Sequence, residues 1–396
     1  MSKMARVDLI EQHSSASFRF IVLITIVIAA GASQGLLLPL LTILLEQAHI
    51  SSGMNGLNAA ALYMGIFLSL LFIERPVIRF GYKPVIMGGI VLAAVAALGF
   101  PLWNHLVFWF ILRIIVGIGD SALHYAAQLW ITSTSPKNKR GRNISLYGMA
   151  YGIGFSIGPI GINLVRIHTW VPFAAIAVLF LLVLLLLLRL PNGYPPQSSS
   201  NDGKKSHYTL IIRMAWFALL PSFLYGYLEA SMNSNFPVYG LRIGLSTSEI
   251  SLMLPMIGIG TLLLQLPLGM WSDRIGRKKI LLSAGIVGGA ALLLVPLAGA
   301  NTWLILLLFL LAGGMVGSFF TLGLAYTADL IPAALLPAAN IIASVNFSTG
   351  SIMGPYLGGM GIQYVSPSSM FWLLGGVFLL FALSGFKFKP HSRIEE

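Results

Sequence analysis

Apolar stretches of about 20 residues recur along this chain, close to the length of helix that the hydrocarbon core of a bilayer requires. Twelve can be read. Six lie near residues 18–45, 56–74, 84–103, 106–131, 143–165 and 170–190, and six more near 210–234, 248–270, 279–299, 302–328, 334–360 and 367–388. Within lipid every backbone N–H and C=O has to be paired inside its own segment, so each stretch is expected to be an α-helix. With 57% apolar and 9% charged residues, the 396-residue chain is unlike a water-soluble domain. The expected class is an all-α, polytopic membrane protein.

The charges support this class and orient it. A net charge of +12 would suit a nucleic-acid binder, but Lys and Arg sit in short loops between apolar spans and form no basic face. Nucleic acid is therefore not an expected partner. An even number of spans puts both termini on one side. That side collects 21 of the 24 Lys and Arg residues, among them Arg75, Arg79, Lys83, Lys137, Lys139, Arg140, Arg142, Lys204, Lys205, Lys389 and Arg393. Only Arg166 and Arg242 fall on the other, and Arg113 lies within a span. The positive-inside rule makes the termini cytoplasmic. The polar Met1–Ser17 stretch and the long apolar run after it do not fit a cleavable signal peptide. Cysteine is absent from the sequence, which excludes disulfides and thiolate ligands. No pair of His or carboxylate residues has metal-ligand spacing, so no metal or cofactor is expected.

The stretch 191–209 is rich in Pro, Ser and Gly and reads as a flexible cytoplasmic linker. It separates two halves, 1–190 and 210–396, each a bundle of six spans. The halves repeat. Arg79, Gly81 and Lys83 correspond to Arg274, Gly276 and Lys278 at an offset of 195, and Gly154, Gly158 and Pro159 correspond to Gly350, Gly354 and Pro355 at 196.

Between the eighth and ninth spans the chain reads Gly-Met-Trp-Ser-Asp-Arg-Ile-Gly-Arg-Lys-Lys over Gly269–Lys279. This resembles the signature loop of major facilitator superfamily transporters. The resemblance implies a two-bundle fold with a substrate site between the halves, used by alternating access, with the chain acting as a monomer among membrane lipids. It also implies a conformational latch built from Gly269, Asp273, Arg274, Gly276 and Arg277. In that latch Asp273 faces the positive helix start near Asn143. The first-half copy departs from the pattern, with Glu74 in place of glycine and Ile78 in place of aspartate. A first-half latch is correspondingly less expected.

The Gly/Pro pattern of the fifth and eleventh spans (Gly154, Gly158 and Pro159; Gly350, Gly354 and Pro355) resembles the antiporter motif of drug–proton antiporters. Glycines four apart also serve plain helix packing, so both roles stand. In the fourth span, Arg113 and Asp120 are seven residues apart and share a face. Ionisable groups at that depth are functional candidates, and the Arg-x-x-x-Gly spacing resembles a family motif linked to proton transfer. Their alternative role is a static ion pair. Desolvation favours a neutral carboxyl, whereas a neighbouring guanidinium favours the ionised form. Glu229, in the seventh span, is either a cavity acid for protons or cationic substrate, or an acid of the solvated rim. Gln34, Asn233 and Asn346 are polar groups within apolar helices and suit a pocket or an interhelical hydrogen bond. Tyr125, Tyr225, Tyr227, Phe319 and Phe320 either line an aromatic cavity or pack. His124 reads as locally hydrogen-bonded.

No Gly-x-x-x-x-Gly-Lys-Ser/Thr loop is present to bind ATP, and no clustered constellation points to an enzyme. The expected function is therefore secondary transport, most like that of the drug–proton antiporters. Small amphipathic molecules would be exported against protons carried by Asp120 with Arg113, or by Glu229. The alternatives are a dedicated exporter or flippase of a metabolite, siderophore or lipid, a facilitator without proton coupling, or a ligand sensor that does not transport.

Overall fold

The computed structural model describes residues 3–136, 139–195, 208–332 and 335–388. Among these residues all regular structure is helical. In chain order the helices are α1 (Lys3–Gln47), α2 (Ser52–Leu70), α3 (Glu74–Phe80), α4 (Tyr82–Gly99), α5 (Leu106–Thr134), α6 (Arg140–Ile157) and α7 (Val171–Leu188). They continue with α8 (Tyr208–Arg242), α9 (Thr247–Ile275), α10 (Arg277–Leu294), α11 (Thr302–Val316), α12 (Phe319–Leu330), α13 (Leu336–Tyr364) and α14 (Ser369–Lys387). Ten stretches are long and apolar enough to cross a bilayer, and α2 with α3, bent by 57°, makes an eleventh. The twelfth is α13, 29 residues long, whose asparagines, serines and glycines make it less apolar than the others. The expected spans are matched one for one.

The surface chemistry inverts that of a soluble protein. Val178, Leu181, Leu182 and Leu185 on α7 are exposed, while Arg113, Asp120, Asn233 and Asn235 are buried. Large apolar side chains face outward where the solvent is lipid, and polar ones are kept inside the protein.

Three details differ from the sequence reading. The seventh span continues to Arg242 rather than ending near 234, because Asn233, Ser234 and Asn235 are buried against protein instead of starting a loop. The Gly269–Lys279 stretch is no extended loop. Here α9 runs to Ile275 and α10 starts at Arg277, leaving Gly276 alone between them at φ +106°. Finally, the start of the expected linker is held in place: Asn192 bonds both Phe80 O (2.9 Å) and Lys83 N (3.1 Å), and Tyr82 N donates to Gly193 O at 2.8 Å. The remainder of that segment, 196–207, lies outside the described residues, as do Lys137, Lys389 and Arg393.

The chain packs as two units. The first comprises the described residues of Met1–Gly35, Leu68–Gly158 and Leu164–Ser198; the second, those of Leu36–Phe67, Pro159–Asn163 and Ser199–Glu396. These units do not coincide with the halves of the repeat, since α1 and α2 are each shared between them. Within the second unit, the ends of the first, second and fifth spans join the seventh, eighth and eleventh. Arg242 bonds Glu46 Oε1 (2.8 Å) and Ser52 Oγ (2.6 Å). Asn163 donates to Ser251 (2.9 Å) and accepts from Ser248 (2.6 Å), and Gly53 N donates to Gln363 Oε1 at 3.0 Å.

The repeat extends to individual contacts. A Cβ on Gly154 would overlap the carbonyl oxygen of Ile28, and one on Gly350 that of Phe223, which is 195 positions further on. Gly31 and Gly226 correspond in the same way, pressing on Tyr151 O and Phe347 O. At the other end of the spans, Lys83 Nζ donates to the carbonyls of Leu188 (2.9 Å) and Leu190 (2.7 Å), and Lys278 Nζ to that of Phe388 (2.7 Å). Each lysine thus satisfies the open C-terminus of the last helix of its half, where a cation also suits the helix dipole. The copies differ at their prolines. After α6 the chain tightens into a 3₁₀ stretch over Gly158–Arg166, whereas α13 runs through Pro355 unbroken.

Candidate functional site

In the first unit, α5 positions Arg113 and Asp120, both buried. One turn beyond Asp120, His124 brings Nε2 to 3.7 Å from the Asp120 carboxylate. The other ring nitrogen, Nδ1, is 2.8 Å from Tyr147 Oη on α6, and the same hydroxyl is 3.3 Å from the His124 carbonyl oxygen. Tyr151, one turn along α6 from Tyr147, sets its ring edge-on to His124 (5.0 Å, 85°) and donates its hydroxyl to Gln34 Oε1 on α1. The structure thus links Asp120 to Gln34 through two side chains, His124 and Tyr151, with Tyr147 held against His124. Tyr125 lies beside His124 on α5 and is half-buried. Asp120, Arg113 and Gln34 were legible as candidates, but Tyr147 and Tyr151 were missed. Their one signal is their spacing, a single turn apart on a glycine-rich helix.

In the second unit, Tyr225 and Glu229 are one turn apart on α8, which brings their side chains to one face of the helix. Tyr225 stacks on Phe347 of α13 (6.0 Å, 29°), and Phe320 of α12 lies 6.3 Å from Tyr225 and 5.9 Å from Phe347. All four side chains are half-buried. Asn233 donates to Glu229 O (2.8 Å) and Asn346 to Leu219 O (3.2 Å), so both amides are partly spent on backbone. Phe319 requires a correction. It is fully buried between Phe378 (5.2 Å) and Phe381 (5.4 Å) of α14, in the core of the unit. Adjacent helix positions point about 100° apart, so Phe320 and not Phe319 joins the aromatic group.

Of the residues expected to form a latch, Asp273 and Arg277 belong to a charged cluster within the second unit. Arg277 bonds Asp273 of α9 (2.9 Å), Asp329 at the end of α12 (2.6 Å) and Ser272 Oγ (3.1 Å). Asp273 thus pairs with the arginine one turn on, while Asn143 donates to Ser135 Oγ at 2.8 Å. Arg274 is exposed in the last turn of α9, and Gly269 has open space around it. Asp329 was not anticipated, because nothing in its local sequence shows that α12 ends beside Gly276.

Helices that expose Leu and bury Asp and Arg, with polar and aromatic clusters placed within the spans, define a multi-pass membrane transporter. The family model of the Major Facilitator Superfamily matches residues 23–260 and 219–395, and the chain belongs to that superfamily. It is an all-α membrane protein of twelve transmembrane helices in two pseudo-symmetric six-helix bundles. It is 38% identical over 360 residues to the uncharacterized MFS-type transporter YfkF of Bacillus subtilis (strain 168), covering 90% of this chain and 92% of YfkF. Identity with the uncharacterized MFS-type transporter YcaD of Salmonella enteritidis PT4 (strain P125109) is 22% over 344 residues, 86% of this chain and 87% of YcaD. Among solved structures, a D-xylose–proton symporter superposes with TM-score 0.78 at 17% identity, covering 96% of this chain and 99% of the symporter. The nucleoside transporter NupG gives 0.78 at 14% identity, over 94% of this chain and 100% of NupG. At such identities the solved structures establish the fold alone.

Proposed function

We propose that this transporter exports amphipathic small molecules in exchange for protons. It would sit in the cell membrane as a monomer with both termini cytoplasmic, its halves 1–190 and 210–396 alternating about a shared site. The observation that carries this reading is Asp120, a carboxylate 6% exposed in the middle of a span, with His124 beside it. An ionised group at such depth is costly to keep unless its charge is used. Taking up a proton removes that cost, so occupancy by a proton and the conformation of the helices are coupled. Glu229, with Tyr225, Phe320 and Phe347, supplies a half-buried acid beside aromatic faces, which suits an amphipathic and particularly a cationic substrate. The Arg277–Asp273–Asp329 cluster would act as the latch. Gly154 and Gly350 lie at helix crossings, so packing already accounts for the antiporter-like glycines. The antiport reading therefore rests on Asp120 and not on them.

The test uses proteoliposomes with an acidic lumen and ethidium as the probe, a permanent cation that a pH gradient alone does not trap. Export toward the acidic side means that ethidium accumulates inside, that collapsing the gradient abolishes accumulation, and that Asp120→Asn abolishes it too. A membrane potential contributes about 2.3 kcal/mol per charge for each 100 mV, so the potential is held at zero. Equilibration without accumulation would identify a facilitator. No ethidium movement at all would leave a dedicated exporter or flippase.

A further inference from the structure

We infer that His124 shares the coupling proton with Asp120, and that Tyr147 is the positioning residue that lets the imidazole carry it. This rests on the proton-coupled reading above and names where the proton resides. A packing histidine needs one partner, but both ring nitrogens of His124 face ionisable groups: Nε2 the Asp120 carboxylate at 3.7 Å, Nδ1 the Tyr147 hydroxyl at 2.8 Å. At 3.7 Å the Asp120 contact lies beyond hydrogen-bond length, and Nε2 has no hydrogen-bond partner among the described residues. It is the position on the ring with room for a new bond.

The hydroxyl of Tyr147 gives the argument its direction. It lies between two acceptors of the same residue, Nδ1 at 2.8 Å and the backbone oxygen of His124 at 3.3 Å. A neutral imidazole has one donor and one acceptor nitrogen, and a protonated one has two donors. While Nδ1 is the acceptor, Tyr147 donates to it. Once a proton arrives, Nε2–H and Nδ1–H both donate, one toward Asp120 and one to Tyr147 Oη, and the tyrosine turns its own proton to the carbonyl. Tyr147 keeps a hydrogen bond in either state, and Nε2–H, unpartnered on the neutral ring, gains one toward Asp120. Asp120 then closes on the imidazolium, and the pair has gained one proton from water with no bond to carbon made or broken.

On α5, Arg113 lies two turns before Asp120; α6 contributes Tyr147 and Tyr151, and α1 the uncharged Gln34. Tyr82 and Lys83 of α4 are engaged elsewhere, with Ser133 and with the carbonyls of Leu188 and Leu190. Tyr151 carries the change onward. Its ring abuts His124, and its backbone oxygen is the atom against which Gly31 of α1 packs. Protonation of His124 is thereby felt where α1 crosses α6.

The experiment titrates the purified full-length chain in nanodiscs, with no transported ligand. Ring nitrogen signals of ¹⁵N-histidine-labelled protein are followed, with His124→Gln identifying the relevant one of seven histidines. The carboxyl stretch of Asp120 is followed by infrared difference, assigned with Asp120→Asn. We expect the two groups to report one common midpoint, as a coupled pair does. In Asp120→Asn the ratio of protonated to neutral His124 at that pH falls about tenfold. Tyr147→Phe keeps the ring and lowers the same ratio several-fold. A His124 that stays neutral while Asp120 titrates overturns the inference, as does a His124 titration unchanged by Asp120→Asn. Where His124→Gln or Asp120→Asn does not fold, His124→Asn or Asp120→Ser supplies the assignment. Ethidium accumulation with a neutral His124 would sink only this inference, and a shared midpoint without accumulation only the antiport reading.

Discussion

Single glycines set the abrupt turns between α3 and α4 and between α9 and α10. Gly276 and Gly81 stand at φ +106° and +84° with ψ 132° and 179°, a region that residues with a Cβ enter only at a cost of about 1–3 kcal/mol. Around Gly276 there is open space, so Gly276→Ala should cost only that strain. At Gly81 a Cβ would also meet Gly193 O at 2.6 Å, so Gly81→Ala should lower thermal stability in detergent further than its counterpart does. Equal losses would mean that the clamp around Gly193 contributes nothing. The special role of Gly276 was legible because charges and a glycine between two apolar runs admit few readings. The same holds for Asp120, conspicuous in a span. Its neighbourhood was not legible. Tyr147 and Tyr151 come from another helix, and a sequence that is apolar all round gives little indication of which faces meet.

At the scale of the helix, the glycines of α6 look alike in sequence and differ in what surrounds them. Gly154 is pressed against Ile28 O and Ala32 N, whereas Gly148 and Gly152 have nothing within 4 Å. Gly154→Ala should therefore overpack the α1–α6 crossing and destabilise the protein by about 1–3 kcal/mol. Gly148→Ala should instead stabilise it by about 0.4–1 kcal/mol, because alanine loses less chain entropy on folding. Melting curves of both variants check this, and a matching sign for the two would refute the assignment. The offsets of 195 and 196 make the repeat legible in the sequence itself, since paired helix crossings need glycine in paired places. The extension of α8 to Arg242 was hidden because Asn233, Ser234 and Asn235 read as the start of a loop until their burial is seen.

For the molecule as a whole, Glu46 and Arg242 form an ion pair within the second unit that joins α1 to α8. Glu46→Arg should loosen these contacts, and Glu46→Arg with Arg242→Glu should restore them. The chain has no cysteine, so a single one replacing the fully buried Ser251 reports the change without background. Maleimide labelling should be about fivefold faster in the single variant, as expected for an ion pair of ~1 kcal/mol, and return to the wild-type rate in the double. An unchanged rate in Glu46→Arg would show that the pair holds nothing shut. The asymmetry at the prolines bears on motion at this scale as well. The first half carries the tighter 3₁₀ stretch over Gly158–Arg166, whose hydrogen bonds are poorer in geometry, and the second an unbroken α-helix through Pro355. The weaker ladder of Gly158–Arg166 should open more readily, so its backbone amides should exchange with solvent deuterium faster than those flanking Pro355, and equal rates would refute this.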